Sequence, residues 1–195
     1  MRDSGPSVRS DDELLDALRR HRSEAAFREL HRRHSPRLLL LLTRMVGGDQ
    51  AQAEDLVQDT WIRGLEKLST FRGEARFASW LTRIGIRMCQ DHLRRDRKAP
   101  LSLVPSTDLV GGLPDYERRM DLENVLARMP ERYRSVLLLH DVEGFTHGEI
   151  GELLGIAEGT SKSRLSAARR LGRELLTGKG GRAATESSRQ ESGST

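Results

Sequence analysis

The 195-residue chain contains one cysteine, Cys89, which excludes an internal disulfide and any zinc site built from cysteine pairs. This suits a reducing compartment. No stretch reaches the roughly 18 apolar residues of a membrane span. The leucine run Leu38 to Leu42, extended to Val46, is short and interrupted by Arg44. Arg2, Asp3, Ser4, Gly5 and Pro6 open the chain without the apolar core of a signal peptide. The expectation is a cytoplasmic chain without membrane insertion. Aromatic residues are scarce, and Val, Ile, Thr and aromatics never gather into strand-like clusters, so an all-β reading falls away.

What remains is helical periodicity. Leu14, Leu15 and Leu18 open a first helix, and Phe27 and Leu30 carry the pattern into the leucine run, which Gly47, Gly48 and Asp49 end. A second helix is expected from about Ala51 to Leu68, with Leu56, Val57, Trp61, Leu65 and Leu68 on one side. After a turn at 69–74, Phe77, Trp80, Leu81, Ile84 and Met88 form one apolar stripe of a helix running to about Arg95. From Ala99 to Asp115 the composition changes to Pro100, Pro105, Pro114 and a Gly111-Gly112 pair, with no Lys or Arg. That segment reads as a flexible linker. Helices resume with Leu122, Val125, Leu126 and Met129 before Pro130, then Tyr133, Val136, Leu137 and Leu139. The tail from Gly178 lacks apolar anchors and reads as disordered. The expected fold is all-α: residues 1–10 disordered, a helical domain at 11–98, a linker at 99–115, a second helical domain at 116–177, and a disordered tail at 178–195.

Within the second domain, Thr146-His147-Gly148-Glu149 fits a capping box. Ile150, Leu153 and Leu154 give the next helix a buried side, and Gly155 ends it. Another helix begins near Glu158. Two short helices joined by a glycine-containing turn make a helix-turn-helix, whose second helix enters the DNA major groove. On that helix Leu165, Ala168, Leu171, Gly172 and Leu175 share one side, and Lys162, Ser163, Ser166, Arg169, Arg170 and Arg173 the other. Five basic and two acidic residues over 158–176 give a local charge of +3, although the whole chain carries only +4. Long cations neutralise phosphates, and short hydroxyl side chains let the backbone approach base edges. Arg164 lies nearer the apolar side, placed to brace the unit or touch phosphate. A solvated helix face would carry similar charges, but not the cap, the turn and the amphipathic helix together.

A second basic region, +5 over 76–98, sets Arg83, Arg87, Gln90 and Arg94 beside the Phe77/Trp80 stripe. Cations next to aromatics suit single-stranded nucleic acid, where unpaired bases stack on rings. The rings themselves read first as core, which leaves the cations and the loop 69–76 as the better contacts.

These segments together resemble a bacterial sigma factor of the extracytoplasmic-function group. Asp55-Leu56-Val57-Gln58-Asp59-Thr60-Trp61 is similar to the helix that binds the polymerase beta-prime clamp. Phe71-Arg72-Gly73, Phe77 and Trp80-Leu81-Thr82-Arg83-Ile84 resemble the part that melts and reads the minus-ten element. Glu143-Gly144-Phe145-Thr146, Glu149-Ile150, Leu154-Gly155-Ile156 and Gly159-Thr160-Ser161-Lys162-Ser163-Arg164-Leu165 resemble the reader of the minus-thirty-five element. The resemblance spans about residues 20–176 in order. It implies no enzymatic reaction and no cofactor. Its implied partners are core RNA polymerase (beta-prime clamp and beta subunits), promoter DNA and an anti-sigma factor. Asp55, Gln58, Asp59 and Trp61 would contact polymerase while Leu56 and Val57 pack inward. Phe71, Arg72, Arg76, Trp80, Arg83, Arg87, Gln90 and Arg94 would serve the minus-ten element. Thr160, Lys162, Ser163, Arg164, Ser166, Arg169, Arg170 and Arg173 would serve the minus-thirty-five element. Arg87 replaces the family's usual Asn, Ser161 stands on the buried side where an apolar residue is usual, and Ala167 stands where relatives carry a cation. Ser161 is expected to loosen the recognition helix.

Other chemistries find little support. Gly178-Lys179 lacks the other positions of a phosphate-binding loop, with Arg173 and Gly180 in the wrong places. His31 and His34 sit one turn apart without a third metal ligand and read as surface residues. Cys89 adjoins the apolar stripe and reads as a small core residue, with redox sensing the lesser alternative. Two other protein classes remain for comparison. A stand-alone helix-turn-helix regulator would bind its operator without polymerase. An anti-sigma or adaptor protein would not need two basic DNA-type faces.

Overall fold

The computed structural model describes residues 9–96 and 122–177. The expected linker and tail, and almost all of the expected N-terminal segment, lie outside those residues. Within them every regular element is helical. The first domain comprises α1 (Asp11–His21), α2 (Glu24–Met45), α3 (Gln50–Glu66), a 3-10 turn (Leu68–Thr70) and α4 (Phe77–Asp96). The second comprises α5 (residues 122–128), α6 (Glu131–Leu137), a π turn (Leu138–Val142), α7 (His147–Leu154) and α8 (Glu158–Leu176).

Local chemistry sets the helix ends. Ser10 accepts from the Glu13 amide while the Glu13 carboxylate accepts from the Ser10 amide, a reciprocal cap that starts α1. The sequence reading runs from Leu14 to Val46 without an interruption, but the chain breaks at Arg22, which adopts φ 47°. Ser23 then caps α2 by accepting from the Ala26 amide. The apolar stripe resumes after only two residues, so periodicity alone does not register the break. Asp49 caps α3 in the same way.

Leu15, Leu30, Leu42, Met45, Leu81, Ile86 and Cys89 are almost wholly buried in the first domain. Each large aliphatic side chain there contributes about 1.5–3 kcal/mol through burial. The apolar stripe of α4 divides as expected: Phe77, Leu81 and Ile84 are buried, while Trp80 and Met88 are half-buried. His31 and His34 are not the surface residues the sequence suggests. His31 packs its ring against Trp61, and His34 Nε2 lies 2.7 Å from an Asp11 carboxylate oxygen. Both histidines therefore hold α2 to its neighbours. The Cys89 thiol is pushed up to about 12 by burial, with Arg134 acting weakly in the opposite direction. It stays protonated at neutral pH, which removes the thiolate that redox chemistry needs.

The second domain packs directly onto the first. Val136, Leu138, Leu139 and Ile150 belong to the same apolar cluster as Leu38, Leu41, Leu42 and Met45. Arg134 lies in this seam, only 6% exposed. Its Nε and Nη2 donate to the Met45 carbonyl at 3.2 and 2.9 Å, and its Nη1 donates to Leu126 and Met129 carbonyls at 3.2 and 3.1 Å. Among the described residues no carboxylate pairs with it, and burial lowers its pKa from the ordinary guanidinium value. Gly47 makes the approach feasible: its φ is +82°, and a Cβ there would lie 3.1 Å from Arg134 Nη1. Nearer the rim, Arg44 pairs with Glu123 at 2.6 Å and Arg37 with Glu143 at 2.9 Å. Arg134→Met would leave three buried carbonyls short of donors, with an expected loss of about 3 kcal/mol. Urea denaturation at constant slope measures it, and an unchanged midpoint would contradict the assigned role of Arg134.

Candidate nucleic-acid interface

In the helix-turn-helix, Thr146 accepts from the Glu149 amide, and the Glu149 carboxylate accepts from the Thr146 amide and hydroxyl. Gly155 ends α7 in the left-handed conformation, φ 66°. α7 then lies so close to the following turn that a Cβ on Gly151 would fall 2.8 Å from the Ile156 carbonyl oxygen. This contact fixes the angle at which α8 leaves the turn. α8 buries Ser161, Leu165 and Ala168, and presents Lys162, Ser163, Ser166, Arg169, Arg170 and Arg173 to solvent. Thr160 and Arg164 are half-buried at the edge of that surface.

Several of these cations carry carboxylate partners. Lys162 pairs with Glu158 at 2.6 Å, Arg169 bonds Asp141 through Nε and Nη2 at 3.0 and 2.6 Å, and Arg170 lies 3.9 Å from Glu174. The Arg169 bond, more than burial opposes it, holds the Asp141 carboxyl below its ordinary pKa. Buried Ser161, expected to loosen the helix, has a partner instead: its Oγ lies 2.9 Å from His147 Nδ1.

The second surface is built around the loop before α4. Arg19 of α1 donates to the carbonyls of Leu68 and Phe71, and its guanidinium lies 5.6 Å from the centre of the Phe71 ring. Phe71 is itself buried, packed against Phe77 and Trp80 with ring centres 5.8 and 5.2 Å away. Phe71 is thus part of the packing beneath the loop, and only Trp80 keeps a partly accessible ring. Arg72, Arg76, Arg87 and Arg94 are exposed, with Arg94 paired to Asp91 at 2.6 Å. An open cavity of about 470 Å³ borders Arg76, Gly73 and Glu74, with Asp11 and Asp12 opposite. Its lining mixes both signs of charge.

Arg83 and Gln90 point elsewhere. Arg83 is ion-paired to Glu149 of the capping box and lies 5.4 Å from the centre of the Phe145 ring. Gln90 reaches Ser135 at 3.5 Å. Two of the eight residues expected at the minus-ten surface therefore lie in the seam with the second domain. The sequence had no means to show it, because the partners lie 66 and 45 residues away.

On α3, Leu56 and Val57 are buried while Asp55, Gln58 and Asp59 are exposed. Trp61 does not share that surface: it is 4% exposed, and its Nε1 donates to Ser35 at 2.9 Å. Ile62 and Leu65, 58% and 41% exposed, extend the Asp55/Gln58/Asp59 face by helical spacing. The sequence reading passed over Ile62 and assigned Leu65 to the inner side.

A helical first domain with a mixed polar and apolar exposed face on α3, packed against a helix-turn-helix, has the architecture of a two-domain DNA-binding protein. Residues 30–99 match the Sigma-70 region 2 family and residues 119–171 the Sigma-70, region 4 family. The chain is 34% identical over 176 residues to the ECF RNA polymerase sigma factor SigM of Mycobacterium tuberculosis, covering 88% of this chain and 87% of that protein. It is 32% identical over 161 residues to the ECF RNA polymerase sigma factor RpoE of Cereibacter sphaeroides, covering 80% and 88%. Among solved structures, the sigma factor RpoE of Bartonella quintana, crystallised with the anti-sigma factor NepR, superposes with a TM-score of 0.59. The identity is 26%, covering 77% of this chain and 96% of that one. CnrH, in complex with the cytosolic domain of CnrY, gives 0.56 at 23% identity over 87% and 99%, which bears on the fold alone. The chain belongs to the extracytoplasmic-function family of RNA polymerase sigma factors. It is a transcription initiation factor, and the stand-alone regulator is the less favoured reading.

Glu149 joins the cap of α7 to Arg83 of the first domain. The Thr146 backbone and hydroxyl bonds lead in holding its carboxyl below the ordinary value of 4.5, with Arg83 adding to them. A depressed carboxyl contributes stability present above the unfolded value and lost as pH falls through the folded value. Glu149→Gln should therefore lower stability at pH 7 and show a shallower acid decline below about pH 4.5. Urea midpoints against pH measure both, and a parallel, unshifted acid limb would contradict the role.

Proposed function

We infer that α3 docks this sigma factor on core RNA polymerase through Asp55, Gln58 and Asp59, with Ile62 and Leu65 supplying apolar contact. The observation that carries this reading is the exposed α3 face, where Ile62 and Leu65 stand in solvent beside Asp55, Gln58 and Asp59. Region 2 meets the minus-ten element with Arg72, Arg76, Arg87 and Arg94 around Trp80, while Phe71 supports the loop from beneath. Region 4 meets the minus-thirty-five element with the outer face of α8: Lys162, Ser163 and Ser166 lie toward its N-terminal end, and Arg169, Arg170 and Arg173 follow along the backbone. Thr160 and Arg164 flank that face. Captured unpaired bases stack on protein and offset part of the melting cost. No bond is made by the chain itself, and the reading places it in the cytoplasm, where polymerase works. Among the described residues no helix is long and apolar enough to cross a membrane.

The two elements are about 25 base pairs apart by their positions, or about 85 Å of duplex. A compact chain of this size has a radius of gyration of only about 16 Å. Engagement of both elements therefore requires the seam at Arg83, Arg134 and Glu149 to open. The segment 97–121 between the domains reaches at most about 85 Å when fully extended. A partner that favours the closed arrangement would hold the factor inactive. On this reading an anti-sigma protein is such a partner; the related RpoE is crystallised in complex with the anti-sigma factor NepR.

Run-off transcription with core polymerase and sheared genomic DNA tests the reading: transcripts with discrete start sites are expected only when this chain is added. Their absence with active polymerase would overturn it. In the same system Asp55→Ala with Asp59→Ala should weaken capture of polymerase at least tenfold while the unfolding midpoint stays unchanged. Undiminished capture would remove α3 as the docking helix. Arg170→Ala and Arg173→Ala should each reduce the salt dependence of promoter binding by about one counterion. An unaltered slope would exclude them as phosphate contacts.

A further inference from the structure

Ser161 is fully buried in the first turn of α8, where a hydroxyl without a partner would be costly. Its partner, His147, opens α7. The His147 ring is stacked on that of His140 from the π turn, centres 4.6 Å apart and planes 26° from parallel. His140 Nδ1 lies 2.8 Å from Asp141 Oδ1, and Asp141 holds Arg169 of α8 by two bonds. A continuous path thus leaves α8 at Ser161, crosses two stacked imidazoles, and returns to α8 at Arg169. The two attachment points are about 12 Å apart along the axis and about 80° apart around it. Two such points fix both the rotation and the register of a helix.

We propose that His140 and His147 form a proton-sensitive clamp that sets the orientation of recognition helix α8, so that discrimination of the minus-thirty-five element weakens in mild acid. The proposal rests on the reading of α8 as the recognition helix. His147 acts through Ser161 and is a positioning residue. The charged groups around it come from two elements: His140 and Asp141 of the π turn, and Glu158, Lys162 and Arg169 of α8. The Asp141 carboxylate is bonded by both His140 and Arg169, which ties the His140 ring to α8. A proton on His147 sets a cation against the His140 ring, with Lys162 and Arg169 adding repulsion and Glu158 opposing it. Desolvation of the ring leads the effects that keep His147 below its ordinary value of 6.5, followed by His140. A depressed histidine keeps its contribution above the unfolded value and loses it as pH falls through the folded one. The clamp is therefore closed at pH 7.5 and opens as pH falls below 6.5 through the folded value of His147.

The test uses holoenzyme assembled from core polymerase and the full chain. The probe is a promoter fragment recovered by run-off transcription, compared with the same fragment carrying a scrambled minus-thirty-five element. The ratio of the two affinities cancels the general gain in phosphate attraction from protonated imidazoles. Between pH 7.5 and 5.5 the wild-type ratio should fall about tenfold. His147→Asn keeps a polar atom within reach of Ser161 and cannot titrate, so its ratio should hold near the wild-type pH 7.5 value throughout. A wild-type ratio that does not change with pH would overturn the clamp while leaving α8 as the reader. No discrimination at pH 7.5 would overturn both. Proton resonances of the two rings give a readout independent of DNA: His140→Asn should raise the titration midpoint of His147, and an unmoved midpoint would exclude the coupling.

Discussion

Arg134 carries its charge into the seam between the domains, where three peptide carbonyls accept its protons and no described carboxylate balances it. A buried cation of this kind is held to its acceptors by the cost of leaving it unpaired while buried, which sets the geometry of the closed arrangement. The Met45 carbonyl ends α2, and the Leu126 and Met129 carbonyls lie at the entrance to α6. One side chain thereby fixes where the first domain turns toward α3 and where the second begins. Gly47 gives the guanidinium room, since a Cβ there would lie 3.1 Å from Nη1 on a backbone at φ +82° that favours glycine. The π turn, the helix-turn-helix and the Arg83 to Glu149 bridge are all placed relative to this point.

Much of the basic surface is already occupied by the protein's own carboxylates. Lys162, Arg170 and Arg94 each have one nearby, all at exposed positions. Exposed pairs of this kind are worth about 0–1 kcal/mol, whereas a phosphate contact also releases counterions from the duplex. Such partners order the cations in the free chain without competing strongly against DNA. Arg83 differs, because it is half-buried and also rests on the Phe145 ring. It belongs to the closed arrangement of the domains rather than to the exposed basic surface.

The helices and caps were readable because they depend on neighbours three or four residues away. Thr146 and Glu149, Gly155, and the outward Lys162 to Arg173 face lie where periodicity places them. What the sequence concealed are contacts made at a distance. Trp61 has the composition of a surface motif but fills the core between α2 and α4, and Phe71 does the same beneath its loop. Leu65 shares a helical stripe with buried residues but projects into solvent. Arg134 looks like one more exposed cation of an amphipathic helix, and only the second domain's packing on Met45 buries it. Ser161 looks like a defect until His147, fourteen residues earlier, is brought beside it.

On the proposed reading a compact two-domain chain opens when it spans a promoter. Spin labels on the exposed positions 24 in α2 and 152 in α7, with buried Cys89 left unlabelled, report that geometry through their pairwise distance. The free chain should give one narrow distance within about 40 Å, the span of a compact body of this size. In promoter-bound holoenzyme the distance should lengthen by tens of ångströms. A broad distribution in the free chain, or an unchanged distance on the promoter, would contradict it.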